Sequence, residues 1–249
     1  MGIDLKKMKA KLAALQNKGG GKTNFLKIEE GKKYQIRVVL PADGDPFKEF
    51  WFHYEIGKNS LLCPKKNFQE ECAICNFASK LYKENTEESN KMAKKFLARQ
   101  RFFSPVVVRG EEKDGVKIWG YGKNVYQDLL SLTLNPEYGD ITDAMTGTDL
   151  NLLTTKAPGQ QFPTTKLTPA RNASKLCQGT DEECRDLMDS VPDFSTIHDR
   201  KTSAEVSAAL DDFLAGTNDR DAESDSSETV KYAPKATNSV DAAFADLMG

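Results

Sequence analysis

The chain has 249 residues, 29% of them charged and 39% apolar, with a formal net charge of −2. This length gives one or two domains with a core of ordinary size and excludes a mini-protein that depends on disulfides. No segment approaches the roughly 18 consecutive apolar residues of a membrane span and the first residues lack the apolar stretch of a signal peptide, so the expected location is cytoplasmic.

The small net charge hides an asymmetry. Residues 1–125 carry 25 Lys and Arg against 15 Asp and Glu, a balance of +10, whereas residues 126–249 carry 10 against 22, a balance of −12. A basic front and an acidic rear suit a polyanion-binding surface with a tail that competes for it, although two solvated faces of one enzyme would give the same arithmetic.

In chain order, Leu5, Met8, Leu12 and Leu15 share one helical stripe, with Lys6, Lys7, Lys9 and Lys11 around it and Gly19, Gly20 and Gly21 behind. A short basic helix before three glycines reads either as an arm that docks elsewhere or as an ordinary helix on its own core. Alternation of Tyr34, Ile36 and Val38 predicts a strand over 32–40 that also carries Arg37, and the aromatic run 50–56 predicts a second. A polar helix is expected around 83–97, a hairpin from 102–109 and 116–121 with its turn at 110–115, and a further strand over 149–154. Short strands with interposed helices favour an α+β fold, mainly β, built as a small barrel with insertions.

Farther on, Thr180 with Glu183 and Thr202 with Glu205 have the spacing of capping boxes, and Val206, Leu210, Phe213 and Leu214 give the second helix an apolar face. Gly216 closes it. The stretch to Ser239 is small, polar and acidic and reads as a disordered linker, ending in a tip that contains Val240, Asp241, Phe244, Asp246, Leu247 and Met248.

Three of the five cysteines fall between Cys63 and Cys75. With His53 they give the pattern His, nine residues, Cys, eight residues, Cys, two residues, Cys, which suits one tetrahedral structural zinc with no open coordination position. Cys177 and Cys184 have no comparable partner pattern, so buried or free thiols are the default for both, and His198 reads as a surface or capping residue. A zinc nucleobase deaminase is a rival reading, because His53-Tyr54-Glu55 and Cys72 with Cys75 match its two half-motifs and would make Glu55 the general acid/base. Against it, Glu71 stands where that motif has proline, and Cys63 supplies a fourth ligand.

Residues two apart share a strand face, so Lys117, Trp119 and Tyr121 line up on one strand and Arg101, Phe103, Val107 and Arg109 on the other. Rings among cations, extended by Arg99, Lys123 and Tyr126, compose a platform for single-stranded nucleic acid, which Phe102 on the opposite face joins if the strand register shifts by one. The bland reading packs Phe103, Trp119 and Tyr121 inside the barrel.

Taken together, the basic arm at Lys6, Lys7, Lys9 and Lys11, the His53, Cys63, Cys72, Cys75 pattern, the run from Cys72 to Lys80, the paired Phe102 and Phe103, the stretch from Trp119 to Lys123 and the acidic tail resemble the single-stranded DNA-binding, helix-destabilising protein of T-even-like tailed phages. The resemblance implies an OB-fold-like barrel over 22–215 with an inserted zinc subdomain at about 50–80, a self-association arm over 1–21 and a partner-recruiting tail over 216–249 that includes Asp241, Phe244, Asp246 and Leu247. It implies no catalysis, cooperative coating of single strands during phage replication, recombination and repair, recruitment of the proteins of those processes, and work in the cytoplasm of an infected bacterial host. A zinc-containing RNA-binding or transcription module is the other rival.

Overall fold

A computed structural model describes residues 25–56 and 60–216. The arm lysines Lys6, Lys7, Lys9 and Lys11 and the tail residues Asp241, Phe244, Asp246 and Leu247 lie outside them. The chain forms two compact units, one from 25–46, 103–120 and 124–193 and the other from 47–102, 121–123 and 194–216.

The first unit is a sheet. β1 (Lys33–Val38) pairs antiparallel with β4 (Arg99–Val108), of which 103–108 belong to this unit, on one side and with β6 (Thr148–Thr155) on the other, and β6 pairs with β7 (Thr164–Ala173). β5 (Lys117–Tyr121) pairs with β4, and Phe25 forms a parallel bridge to Ile118. The expected barrel is not formed: the order β5-β4-β1-β6-β7 stays open among the described strands, with β7 as an edge. β7 manages that edge with Lys166, Pro169 and Arg171 in a largely exposed strand. Tyr34, Ile36 and Val38 of β1, Val106 to Val108 of β4, Ile118 of β5 and Leu150 and Leu152 of β6 are buried. α4 (Lys123–Thr133) buries Val125, Leu129 and Leu132, and α5 (Asp181–Asp189) begins at the Thr180–Glu183 capping box expected from the spacing.

The second unit is mainly helical. β2 (Lys48–His53) pairs with the two-residue β3 (Leu61–Leu62), followed by α1 (Pro64–Phe68), α2 (Ala73–Glu84), α3 (Glu87–Phe96) and, later, α6 (Ser203–Leu214). The polar helix expected around 83–97 is α3, and α2, which the sequence did not single out, runs up to its start. Asn85 ends α2 in a left-handed conformation and Thr86 opens α3 with its own capping box, its side chain accepting from the Ser89 amide. Ile74, Phe77, Ala78 and Leu81 of α2, Ala93 and Phe96 of α3 and Val206 and Leu210 of α6 make one core. Phe96 meets Phe77 and Phe213 edge to face at 5.1 and 5.6 Å.

Candidate metal centre and basic surface

His53, Cys63, Cys72 and Cys75 all belong to the second unit, and their donor atoms lie within 4.8 Å of one another. Each is placed by an element. β2 ends on His53, whose Nδ1 is 2.9 Å from the Phe96 carbonyl, so the ring turns Nε2 toward Cys72 Sγ at 3.4 Å and Cys75 Sγ at 3.6 Å. A carbonyl that accepts a hydrogen bond from Nδ1–H fixes the tautomer and leaves Nε2 free to bind a cation. Cys63 and Cys72 are the N-cap residues of α1 and α2, and the Lys66 amide donates to Cys63 Sγ at 3.4 Å. Helix N-termini favour thiolates. Cys75, one turn into α2, closes the group with its sulfur 3.5 Å from Cys63 Sγ.

Tetrahedral zinc with bonds of about 2.3 Å to sulfur and 2.0–2.1 Å to nitrogen needs donor separations of about 3.5–3.8 Å, so the donor set fits. Burial alone would lower the His53 imidazole, but its hydrogen bonds with Cys63 and Cys72 outweigh that and raise it to about 9. Hydrogen bonds with Cys72 and Cys75 lower Cys63, and hydrogen bonds with Cys63 and Cys72 raise Cys75. The buried group can therefore hold a metal ion. Glu55, the residue a deaminase would need as acid/base, is 44% exposed and lies 4.0 Å from Arg99.

The residues proposed for nucleic-acid contact divide. Arg37 is corrected to an interior role: its side chain is fully buried, with Nε 2.8 Å from Asp149, Nη1 donating to the Asp143 carbonyl and Nη2 to the Ser174 carbonyl and hydroxyl. Burial lowers its pKa and the Asp149 carboxylate opposes that. Arg109 is likewise structural. It grips both Asp149 oxygens at 2.9 and 2.8 Å and donates to the carbonyls of Lys175 and Leu176. Lys117, with only 13% of its side chain exposed, is held by Glu111 at 2.6 Å and Asp114 at 3.0 Å, and the hydrogen bond it donates to Glu111 leads the causes that raise its pKa.

The ring platform is also corrected. Phe102, Phe103, Trp119 and Tyr121 are all under 8% exposed, so the rings fill cores instead of presenting a face. Phe103 meets Phe25 edge to face at 6.2 Å and crowds Gly120, where an added Cβ would stand 2.9 Å from the ring. Phe102 stacks with Tyr121 at 6.2 Å and 14°.

What remains at the surface is a basic cluster in the second unit. Arg99 and Arg101 sit two residues apart on β4, with Arg99 exposed and Arg101 half-buried, and Lys123 is exposed. Arg101 Nη1 is 3.8 Å from the position of a Cβ on Gly122. Half-buried Tyr54 shares their field: burial pushes its hydroxyl up, while the charges of Arg101 and Arg99 pull against the rise. Sequence reasoning used Tyr54 only as part of a rival motif, and its place one residue beyond an aromatic strand was the available signal.

Cys177 and Cys184, read as thiols, are instead joined as a disulfide. Among the described residues no helix is long and apolar enough to cross a membrane. Comparison with models of known protein families and with curated proteins finds no match.

Proposed function

We propose that the chain is a non-catalytic, sequence-tolerant single-stranded DNA-binding protein whose second unit is held by one structural zinc ion at His53, Cys63, Cys72 and Cys75. The observation that carries the reading is the pair Arg99 and Arg101 beside half-buried Tyr54, with Lys123 exposed on the same unit, in a front half with a +10 balance. Every nucleotide offers a phosphate to the cations and a π-face to a ring, so such a cluster binds without regard to sequence. Four protein ligands leave zinc no position for an activated water, which argues for a structural ion over a deaminase centre. In this reading the basic segment 1–21 links neighbouring copies on DNA and the acidic segment 216–249 recruits replication and recombination proteins. The protein then coats and protects single strands during phage DNA replication, recombination and repair in the cytoplasm of the infected host.

The test is the paired charge reversal Arg99→Glu with Arg101→Glu. Binding of oligothymidine at low salt is expected to weaken at least about tenfold, and the log-log salt slope to become shallower by about 1.4 for two lost phosphate contacts on a single strand. Both side chains reach the surface, so the far-ultraviolet circular dichroism should not change. Wild-type affinity in the variant would contradict the reading, and tighter binding to RNA or duplex DNA than to single-stranded DNA would favour an RNA-binding or transcription module.

A further inference from the structure

The geometry points to a thiol–disulfide exchange site at Cys177–Cys184 that latches α5 onto the first unit and whose co-reactant is a dithiol. The inference stands apart from the DNA-binding reading, since every residue it uses lies in the first unit, whereas Tyr54, Arg99, Arg101 and Lys123 lie in the second.

α5 is poorly anchored by packing. Of its nine residues only Leu187 is buried, and a helix this short is marginal without tertiary contacts. The core it joins is a small satellite of Val39, Val107, Val116, Leu176 and Leu187, with Cys177 and Val191 packed against it. Two chain segments meet there, 176–177 and 187–191, and the disulfide ties Cys177 of the first to Cys184 of α5, one turn before the second, across a separation of seven residues with the Cα atoms 5.5 Å apart. Segment 174–176 is separately fixed, because its carbonyls accept from Arg37 and Arg109 and the Leu176 amide donates to Ala144. One side of the disulfide is therefore anchored whatever its redox state. The other side, α5, depends on it.

The far end of α5 carries the consequence to the sheet. The Val116 amide donates to Ser190 Oγ at 3.0 Å, immediately before β5, and Ser190 Oγ donates to the Leu187 carbonyl at 2.6 Å. Gly115 lies so close that a Cβ there would stand 3.1 Å from Ser190 Oγ. Releasing α5 removes the side-chain partner of the Val116 amide at the root of the 110–116 turn.

Both cysteines are half-buried, and Gln178, Gly179 and Thr180 between them are exposed, which gives a reductant access. One thiolate of the dithiol attacks a sulfur of the pair, breaking the Sγ–Sγ bond and forming a mixed disulfide. The second thiol of the reductant then displaces the remaining cysteine sulfur. Two electrons and two protons end on Cys177 and Cys184, and the reductant leaves as its own disulfide.

The experiment is amide hydrogen exchange with peptide-mapped alkylation on the zinc-loaded, full-length protein, first oxidised with glutathione disulfide and then treated with dithiothreitol in zinc-containing buffer. On reduction, both cysteines become alkylatable, and exchange over 184–191 and at Val116 rises by about tenfold or more, because opening the cross-link restores chain entropy to a locally unfolded helix. The double variant Cys177→Ser with Cys184→Ser should show the fast exchange under both conditions. The proposal is overturned if the pair never forms or resists dithiothreitol, or if the two thiols form while exchange over 184–191 stays as it was.

Discussion

Removal of zinc is expected to melt the second unit at neutral pH. Cys63 and Cys72 are fully buried members of its core, beside Ile56, Ile74 and Phe96, so losing the ion would leave thiolates and an imidazole inside an apolar cluster. Structural zinc contributes about 10–16 kcal/mol in isolated zinc-finger peptides, as much as or more than a typical domain's net stability of about 5–15 kcal/mol. Chelation, or Cys72→Ser, should therefore abolish protection from exchange in α2 and α3, and readdition of zinc should restore it in the chelated protein. The pH dependence has a definite sign. Binding needs a neutral His53 imidazole and deprotonated cysteine sulfurs, so zinc affinity should climb as pH rises and fall in acid. Retention of α2 and α3 in a verified zinc-free protein would show that apolar packing alone carries the unit.

The second large effect belongs to Asp149. Its carboxylate is 5% exposed and serves two guanidinium groups, Arg37 at 2.8 Å and Arg109 at 2.8 Å, as well as the Gln35 amide at 3.0 Å. Asp149→Asn leaves both cations without their counter-charge, one of them completely buried, and breaking a buried ion pair from one side costs about 3–5 kcal/mol. The expected result is a thermal midpoint lowered by roughly 6–20 °C for a chain of this size. Burial alone would raise the Asp149 pKa, but Arg109 and Arg37 reverse that and leave it below its ordinary 3.8. The group's stabilisation is therefore complete above the unfolded value and disappears as pH falls through the lower folded value. Wild-type should lose this contribution in strong acid, whereas Asp149→Asn should show a flatter acid limb. An unchanged midpoint in the variant would mean that the carbonyls of Asp143, Ser174 and Leu176 suffice to hold the two arginines.

The His53, Cys63, Cys72 and Cys75 group is the most legible part of the chain because its four residues lie within 23 positions and their spacing is that of a site able to hold a metal ion. Capping boxes at Thr180 and Thr202 were legible for the same local reason, and both are present. The ring platform failed because alternation assumes one wet face. In β5, Ile118 and Trp119 are both buried although adjacent, and β4 is buried continuously from Phe102 to Val108. Arg37 looked like a surface cation because its partner, Asp149, is 112 residues away and no local pattern joins them. β7 escaped notice for want of apolar alternation, since an exposed edge strand of Thr, Lys and Arg carries little of it. The disulfide was within reach of arithmetic: five cysteines less three ligands leaves an even pair.

The central claim, binding to single-stranded DNA, is tested most directly by titrating the zinc-loaded protein with fluorescent oligothymidine across a salt series, beside the same length of duplex. The account predicts tight binding to the single strand that weakens linearly on a log-log plot, by about 0.7 for each phosphate neutralised, with the duplex bound more weakly at every salt concentration. A flat salt response, or equal affinity for the duplex, would contradict it.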